Sequence, residues 1–135
     1  MADKKTTSYP KEKINILFLE NISDTAIKKF HDAGYTSVKK VNAALSENEL
    51  INEIKNVHLL GIRSKTQLTK NVLSHAEKLQ AISCFSISVN QVDLGAATKI
   101  GVVVFNAPYS NTRSVAELVI ASSIMLIRRI PDKNK

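Results

Sequence analysis

This 135-residue sequence predicts an open α/β fold, a parallel sheet with helices on both faces, and three observations carry the prediction. Five short strand-like runs recur along the chain, four of them apolar and one carrying lysines, and the first has the little polar relief of a strand covered on both faces. Between them lie segments with apolar residues at helical spacing, several opened by Ser or Thr and two closed by Gly. The connections are short, which suits a run of right-handed crossovers.

The first run, residues 14–19 (INILFL), reads as a strand buried on both faces. Ser23 can cap the next helix, where Ala26, Ile27, Phe30 and Ala33 share a face before Gly34 stops it. Residues 37–41 carry lysines and predict a weaker edge strand. Ser46 and Glu49 form a capping box, opening a helix that turns Leu50, Ile51 and Ile54 inward. The strand at 57–62 (VHLLGI) delivers Arg63 and Ser64 to its C-terminal end. Thr69 starts a short helix through Leu73 and Ala76, and a strand at 79–83 leads into the loop 85–90. A helix over 91–99 follows, and Gly101 turns the chain into the strand 102–105. Beyond a polar loop with Pro108, residues 112–130 read as one long helix. This order makes a flavodoxin-like (Rossmann-like) domain with a central five-stranded parallel sheet the most economical arrangement, followed by a long crossover helix.

The net charge of +7 looks like a nucleic-acid signal until it is divided by region. Residues 1–13 hold four lysines against Asp3 and Glu12, and residues 128–135 hold four basic side chains against Asp132. Most of the excess therefore lies in the tails, with no basic run interleaved with aromatics, so neither nucleic acid nor a membrane is an expected partner. The N-terminus has no apolar core of a secretory signal, and the apolar stretch 115–130 is too short and too polar for a membrane span. One cysteine, Cys84, allows no internal disulfide and suits a reducing cytoplasm. It reads as a buried inert thiol rather than a nucleophile. His31, His58 and His75 form no zinc pattern and read as structural or solvated.

Ligands of open α/β sheets bind outside the carboxyl ends of the strands, and three segments converge there. In 61–66 (GIRSKT), Arg63 offers a planar five-donor fork for a carboxylate or phosphate and Ser64 a hydroxyl beside it. The alternative is that Arg63 is a solvated loop residue. In 84–90 (CFSISVN), backbone N–H groups just before a helix from Gln91 could bind an anionic oxygen through the field of the helix terminus. In 106–113, Asn106 and Asn111 can donate and accept toward a ligand, or simply cap turns and helices. Arg113, in the first turn of the last helix, runs against its dipole and points to a specific partner or ligand.

Taken together, 61–66, 90–94 (NQVDL) and 105–117 (FNAPYSNTRSVAE) resemble segments of the D-isomer-specific 2-hydroxyacid dehydrogenases, a likeness running from about residue 14 to residue 131. Residues 1–13 read as a disordered leader, and the resemblance implies a substrate-binding domain over 14–111 and a crossover helix over 112–135 that would begin an NAD-binding domain. It implies Arg63, Ser64, Ser86, Ile87 and Asn111 as substrate-binding residues for a small anionic hydroxyacid, 3-phosphoglycerate being the leading one. NAD would serve the parent enzyme, with none bound to this chain alone, because the glycine fingerprint and the catalytic groups follow later in the family. No residue here is therefore assigned as catalytic, cofactor-binding or metal-ligating. Ser83 and Ser88 stand where the family loop usually carries glycines; if either position needs positive φ or close ligand approach, a Cβ there costs of order 1 kcal/mol or reshapes the loop, the alternative being a serine that is accommodated and adds a hydroxyl.

The last helix carries Val115, Leu118, Val119, Ile120, Ile124, Met125, Leu126, Ile127 and Ile130 over most of its circumference. A helix apolar on several faces expects burial on several faces. Self-association, or association with the rest of the enzyme, is the expectation. The rival reading is a non-catalytic regulatory or protein-binding module derived from the same domain, and a third is that the sequence covers part of a longer gene product.

Overall fold

The computed structural model describes residues 9–130 and 132. Its centre is the expected five-stranded parallel sheet, in the order β2-β1-β3-β4-β5. The strands are β1 (Ile16–Phe18), β2 (Val38–Lys40), β3 (Leu59–Ile62), β4 (Ala81–Cys84) and β5 (Val103–Asn106). β1 to β4 are shorter than the runs expected for them, and Leu19, for example, is fully buried just beyond β1; β5 keeps the expected length but is shifted one residue toward Asn106.

Five helices connect and follow the strands: α1 (Asp24–Asp32), α2 (Glu47–Ile54), α3 (Lys70–Ser74), α4 (Leu94–Lys99) and α5 (Thr112–Ile127). Helices α2, α3 and α4 cover one face, packing Leu50, Ile54, Leu73 and Ala97 on Leu17, Leu60 and Ile82. Helix α1 covers the other, over Ile16 and Phe18, as the alternation of side chains along β1 demands. This second face is only partly sheltered, and Phe105 of β5 is 57% exposed on the open edge.

The ends of the helices follow local chemistry. The Ser23 hydroxyl accepts the Thr25 N–H, and Ser46 and Glu49 form the expected reciprocal box on α2. Gly34 (φ +92°) ends α1, with the Tyr35 N–H donating to the Phe30 carbonyl and the Gly34 N–H to that of His31. Helix α4 starts at Leu94 rather than Gln91, which corrects the sequence expectation. Gln91 and Val92 are engaged by Leu68 in an isolated parallel bridge, and the Asp93 carboxylate caps the helix by accepting the Ala96 N–H at 2.9 Å. Helix α5 ends at Ile127, short of the expected 130, in a turn where Arg129 takes φ +50° and the Ile130 N–H reaches the Met125 carbonyl.

Residues 1–8 of the expected disordered leader lie outside the described residues, as do 131 and 133–135 at the other end. Lys11–Lys13 form one 3-10 turn, and Lys11 Nζ donates to the Ala33 carbonyl at 2.8 Å.

Candidate functional site

The carboxyl ends of β1 and β3 are neighbours at the point where the chain order reverses about the sheet, the usual ligand crevice of this topology. A cleft of about 570 Å³ opens there, lined by Glu20, Asn21, Asn42, Arg63, Ser64 and Lys65. Arg63 also borders a second hollow of about 340 Å³ with Ser23 and Phe85. Neither the Arg63 guanidinium nor the Lys65 ammonium has a hydrogen-bond or ion-pair partner among the described residues, so two cations at this edge are left outside any contact pair.

The floor of the cleft is a residue the sequence reading passed over. Glu20 is 8% exposed, and its carboxylate accepts three backbone N–H groups of one turn. Oε1 accepts from Arg63 at 3.1 Å and Thr66 at 2.9 Å, and Oε2 from Lys65 at 2.9 Å. Burial pushes the Glu20 carboxyl up, but the Thr66, Lys65 and Arg63 donors together outweigh it and hold the carboxyl below its ordinary value. Glu20 and Asn21 both sit in the left-handed region (φ +61° and +52°), a conformation costing about 1 kcal/mol each for residues with a Cβ. The Thr66 hydroxyl, buried in the same turn, makes no properly directed hydrogen bond.

Gln91 was also missed, having been placed in a helix. Its Nε2 donates to the Arg63 carbonyl at 2.6 Å and to Ser86 Oγ at 3.0 Å, joining the loops after β3 and β4. The loop after β4 is further tied by Ser86 Oγ–H to the Ser88 carbonyl, by the Asn90 N–H to Ser88 Oγ, and by Asn106 Nδ2 to the Ile87 carbonyl. The available signal for Glu20 was a carboxylate immediately after an unbroken apolar strand; for Gln91 the sequence offers none.

Of the five predicted site residues, Arg63 and Ser64 share the cleft, and Ser86 connects to Arg63 through Gln91. Ile87 is exposed beside Ser86, while Asn111 heads α5, exposed and without a side-chain cap bond. Because α4 begins three residues later than expected, the loop 85–90 has no helix terminus directly behind it, which removes the dipole argument for an anion there. Arg113 has its partner within its own helix: Nε donates to Glu117 Oε1 at 2.7 Å across one turn. Neither Ser83 nor Ser88 has positive φ, so this backbone does not demand glycine at either.

Cys84 is 1% exposed; burial, and then the nearby Glu20 charge, push its thiol up, away from nucleophilic form. His58 Nδ1 accepts the Asn15 N–H, and His31 and His75 engage backbone carbonyls of their own turns. No group of three metal-ligating side chains occurs among the described residues, and none of their helices is long and apolar enough to cross a membrane.

The sheet order and the helices on its two faces thus describe an α/β domain of the open, doubly wound class. The chain belongs to the D-isomer specific 2-hydroxyacid dehydrogenases, whose catalytic-domain model matches residues 16–128. It is 51% identical over 129 residues to a D-3-phosphoglycerate dehydrogenase of Dictyostelium discoideum, covering 96% of this chain and 31% of that protein. It is 54% identical over 121 residues to D-3-phosphoglycerate dehydrogenase 1 of Saccharomyces cerevisiae, covering 90% and 26%. The chain therefore spans between a quarter and a third of the length of these curated relatives. Among solved structures, a D-lactate dehydrogenase of Aquifex aeolicus complexed with NAD and lactic acid superposes with a TM-score of 0.71 at 26% identity, covering 88% of this chain and 36% of that one. The TT0316 protein of Thermus thermophilus shares the fold, with a TM-score of 0.78 at 23% identity, covering 89% and 39%.

Proposed function

We propose that residues 14–111 are the substrate-binding portion of an NAD-dependent D-3-phosphoglycerate dehydrogenase, and that the helix from Thr112 leads toward its NAD-binding portion. The parent reaction oxidises 3-phosphoglycerate to 3-phosphohydroxypyruvate, a step of serine synthesis. It passes hydride from C2 to NAD and releases the hydroxyl proton. The observation that carries this reading is the uncompensated Arg63 guanidinium beside Ser64 in the cleft between β1 and β3. A planar fork can take an anionic oxygen pair through two parallel N–H bonds, and the Ser64 hydroxyl can add a third donor. The high identity to two phosphoglycerate dehydrogenases supports the choice of hydroxyacid.

NAD does not fit the residues present. Its pyrophosphate needs closely spaced glycines in a turn between strand and helix, and the four glycines lie far apart at 34, 61, 95 and 101. Substrate positioning is thus the contribution of these residues, and hydride transfer belongs to the NAD-binding portion of the parent. Purified residues 1–135 mixed with NAD and 3-phosphoglycerate should produce no NADH absorbance. Calorimetric titration with 3-phosphoglycerate should give measurable heat for the unaltered protein and about tenfold weaker binding for Arg63→Ala, the scale of one lost charge-assisted pair. Equal binding by both removes Arg63 from the site.

Association through α5, with a second copy or with the remainder of the enzyme, is supported by a separate observation. None of its residues is buried, and Leu118 and Ile127 are 66% and 81% exposed.

A further inference from the structure

Arg63 is held in an unusual way: its main chain is gripped on both sides by side chains remote in sequence, while its guanidinium is left without a partner. Its N–H is bound by Glu20, 43 residues earlier, and its C=O by Gln91, 28 residues later. We infer that Glu20 and Gln91 are positioning residues, a clasp that fixes the 63–66 turn so that Arg63 and Ser64 meet an anionic hydroxyacid without backbone rearrangement. The inference rests on the anion-binding reading of Arg63 proposed above.

The geometry argues for a purpose beyond packing. A carboxylate on the floor of a cleft meant for an anion is electrostatically unfavourable, and a neutral side chain there would attract the ligand better. Three N–H donors from a single turn spread over both oxygens of Glu20, so the negative charge is spent on shaping that turn. The backbone accepts left-handed φ at two successive non-glycine residues, Glu20 and Asn21, to bring the carboxylate there, and such conformations persist where surrounding contacts over-determine them. Gln91 extends the clasp to Ser86, so the loops after β3 and β4 are set by one amide. An ordered binding group loses less freedom on meeting its ligand, which raises affinity without adding a contact.

Charge and positioning predict opposite signs for Glu20→Gln, and that makes the test decisive. If Glu20 acts only through its charge, removing it tightens 3-phosphoglycerate binding. If it is a clasp, the amide NH2 confronts the Lys65 N–H, the turn loosens, and binding weakens about tenfold, the scale of one broken charge-assisted hydrogen bond. Gln91→Met changes no charge and should weaken binding in the same direction. The measurements are titration calorimetry with 3-phosphoglycerate and residue-resolved amide exchange on the full chain without ligand. The Lys65 and Thr66 amides should lose protection in Glu20→Gln while the β3 amides of Leu60 and Ile62 keep theirs, a local signature that general destabilisation does not produce. If Glu20→Gln fails to fold, Gln91→Met decides by the same two readouts. Weaker binding with local loss of protection supports the clasp; equal or tighter binding in the variants overturns it. Protected amides in an unaltered protein that binds no 3-phosphoglycerate would instead overturn the anion reading, and the clasp's role in binding with it.

Discussion

Strands β1, β3 and β4, in the body of the sheet, and helix α5 are all rich in apolar residues but differ sharply in burial. In the body, Ile16, Leu17, Phe18 and Leu19 are all buried, and Leu60 and Ile82 lie beneath α2, α3 and α4. In α5, Leu126 and Ile127 rank among the most exposed large side chains of the molecule. The same residue types therefore report different things: internal cohesion in one region, and apolar surface left uncovered in the other. Dependence of stability on each region follows from that difference.

The largest effect should come from matched truncations in the two regions. Leu60→Ala empties part of a packed layer and should cost about 3 kcal/mol, whereas Leu126→Ala at low protein concentration should stay within about 0.5 kcal/mol. Urea denaturation of dilute samples measures both. Equal costs would mean that α5 is packed in solution and that the contrast is false.

Next is the acid sensitivity of the body. Folding holds the Glu20 carboxyl below its ordinary value, so its contribution is fully present above the unfolded-state pKa and is lost as pH falls through the lower folded-state value. Exposed Glu49 is held down as well, by the Ser46 hydroxyl and backbone, and shares the same sign. Glu20→Gln should cost about 2 kcal/mol at neutral pH, the scale of a buried charge-assisted network, and should flatten the stability profile below the ordinary carboxylate range. Denaturation midpoints across acid pH check this; an unchanged slope in the variant would show that Glu20 is not the titrating group.

The third test addresses α5 alone. Leu118→Glu together with Leu126→Glu places charge on its exposed apolar surface and should weaken self-association, or capture of the remaining enzyme, by about tenfold or more, with the urea midpoint of the dilute protein unchanged. Sedimentation at several concentrations reads the first quantity. A lowered midpoint without any change in association would place the helix in the body's own stability.

The two regions were also unequally legible in the sequence. All five strands and the edge position of β2 follow from apolar runs and charge, because burial is written locally in a strand that is covered on both faces. Boundaries were less legible, since Leu19 is buried by packing beyond its ladder and Gln91 is diverted from α4 by Leu68. At the site, Arg63 and Ser64 could be read because they directly follow a strand. Glu20 and Gln91 could not, because each acts on a backbone segment 28 or more residues away and no local pattern records such a bond. The apolar circumference of α5 was legible in the sequence but its exposure in this structure was not, and the partner of Arg113 needed the rotamers that join it to Glu117.

The smallest effect should appear in the loop that follows β4. Ser88 adopts no positive φ, its hydroxyl accepts the Asn90 N–H at 3.0 Å, and its carbonyl accepts the Ser86 hydroxyl at 2.7 Å. Glycine there removes one acceptor and adds freedom to the unfolded chain, so Ser88→Gly should destabilise the body by about 1 kcal/mol. Association through α5 should not change, because among the described residues no hydrogen bond of this loop reaches beyond Ala107. Parallel denaturation and sedimentation of the variant separate these effects. A stabilising result would mean that the Cβ of Ser88 strains the loop in solution. The body would then carry a local conflict of its own, and unmet interaction would no longer be confined to α5.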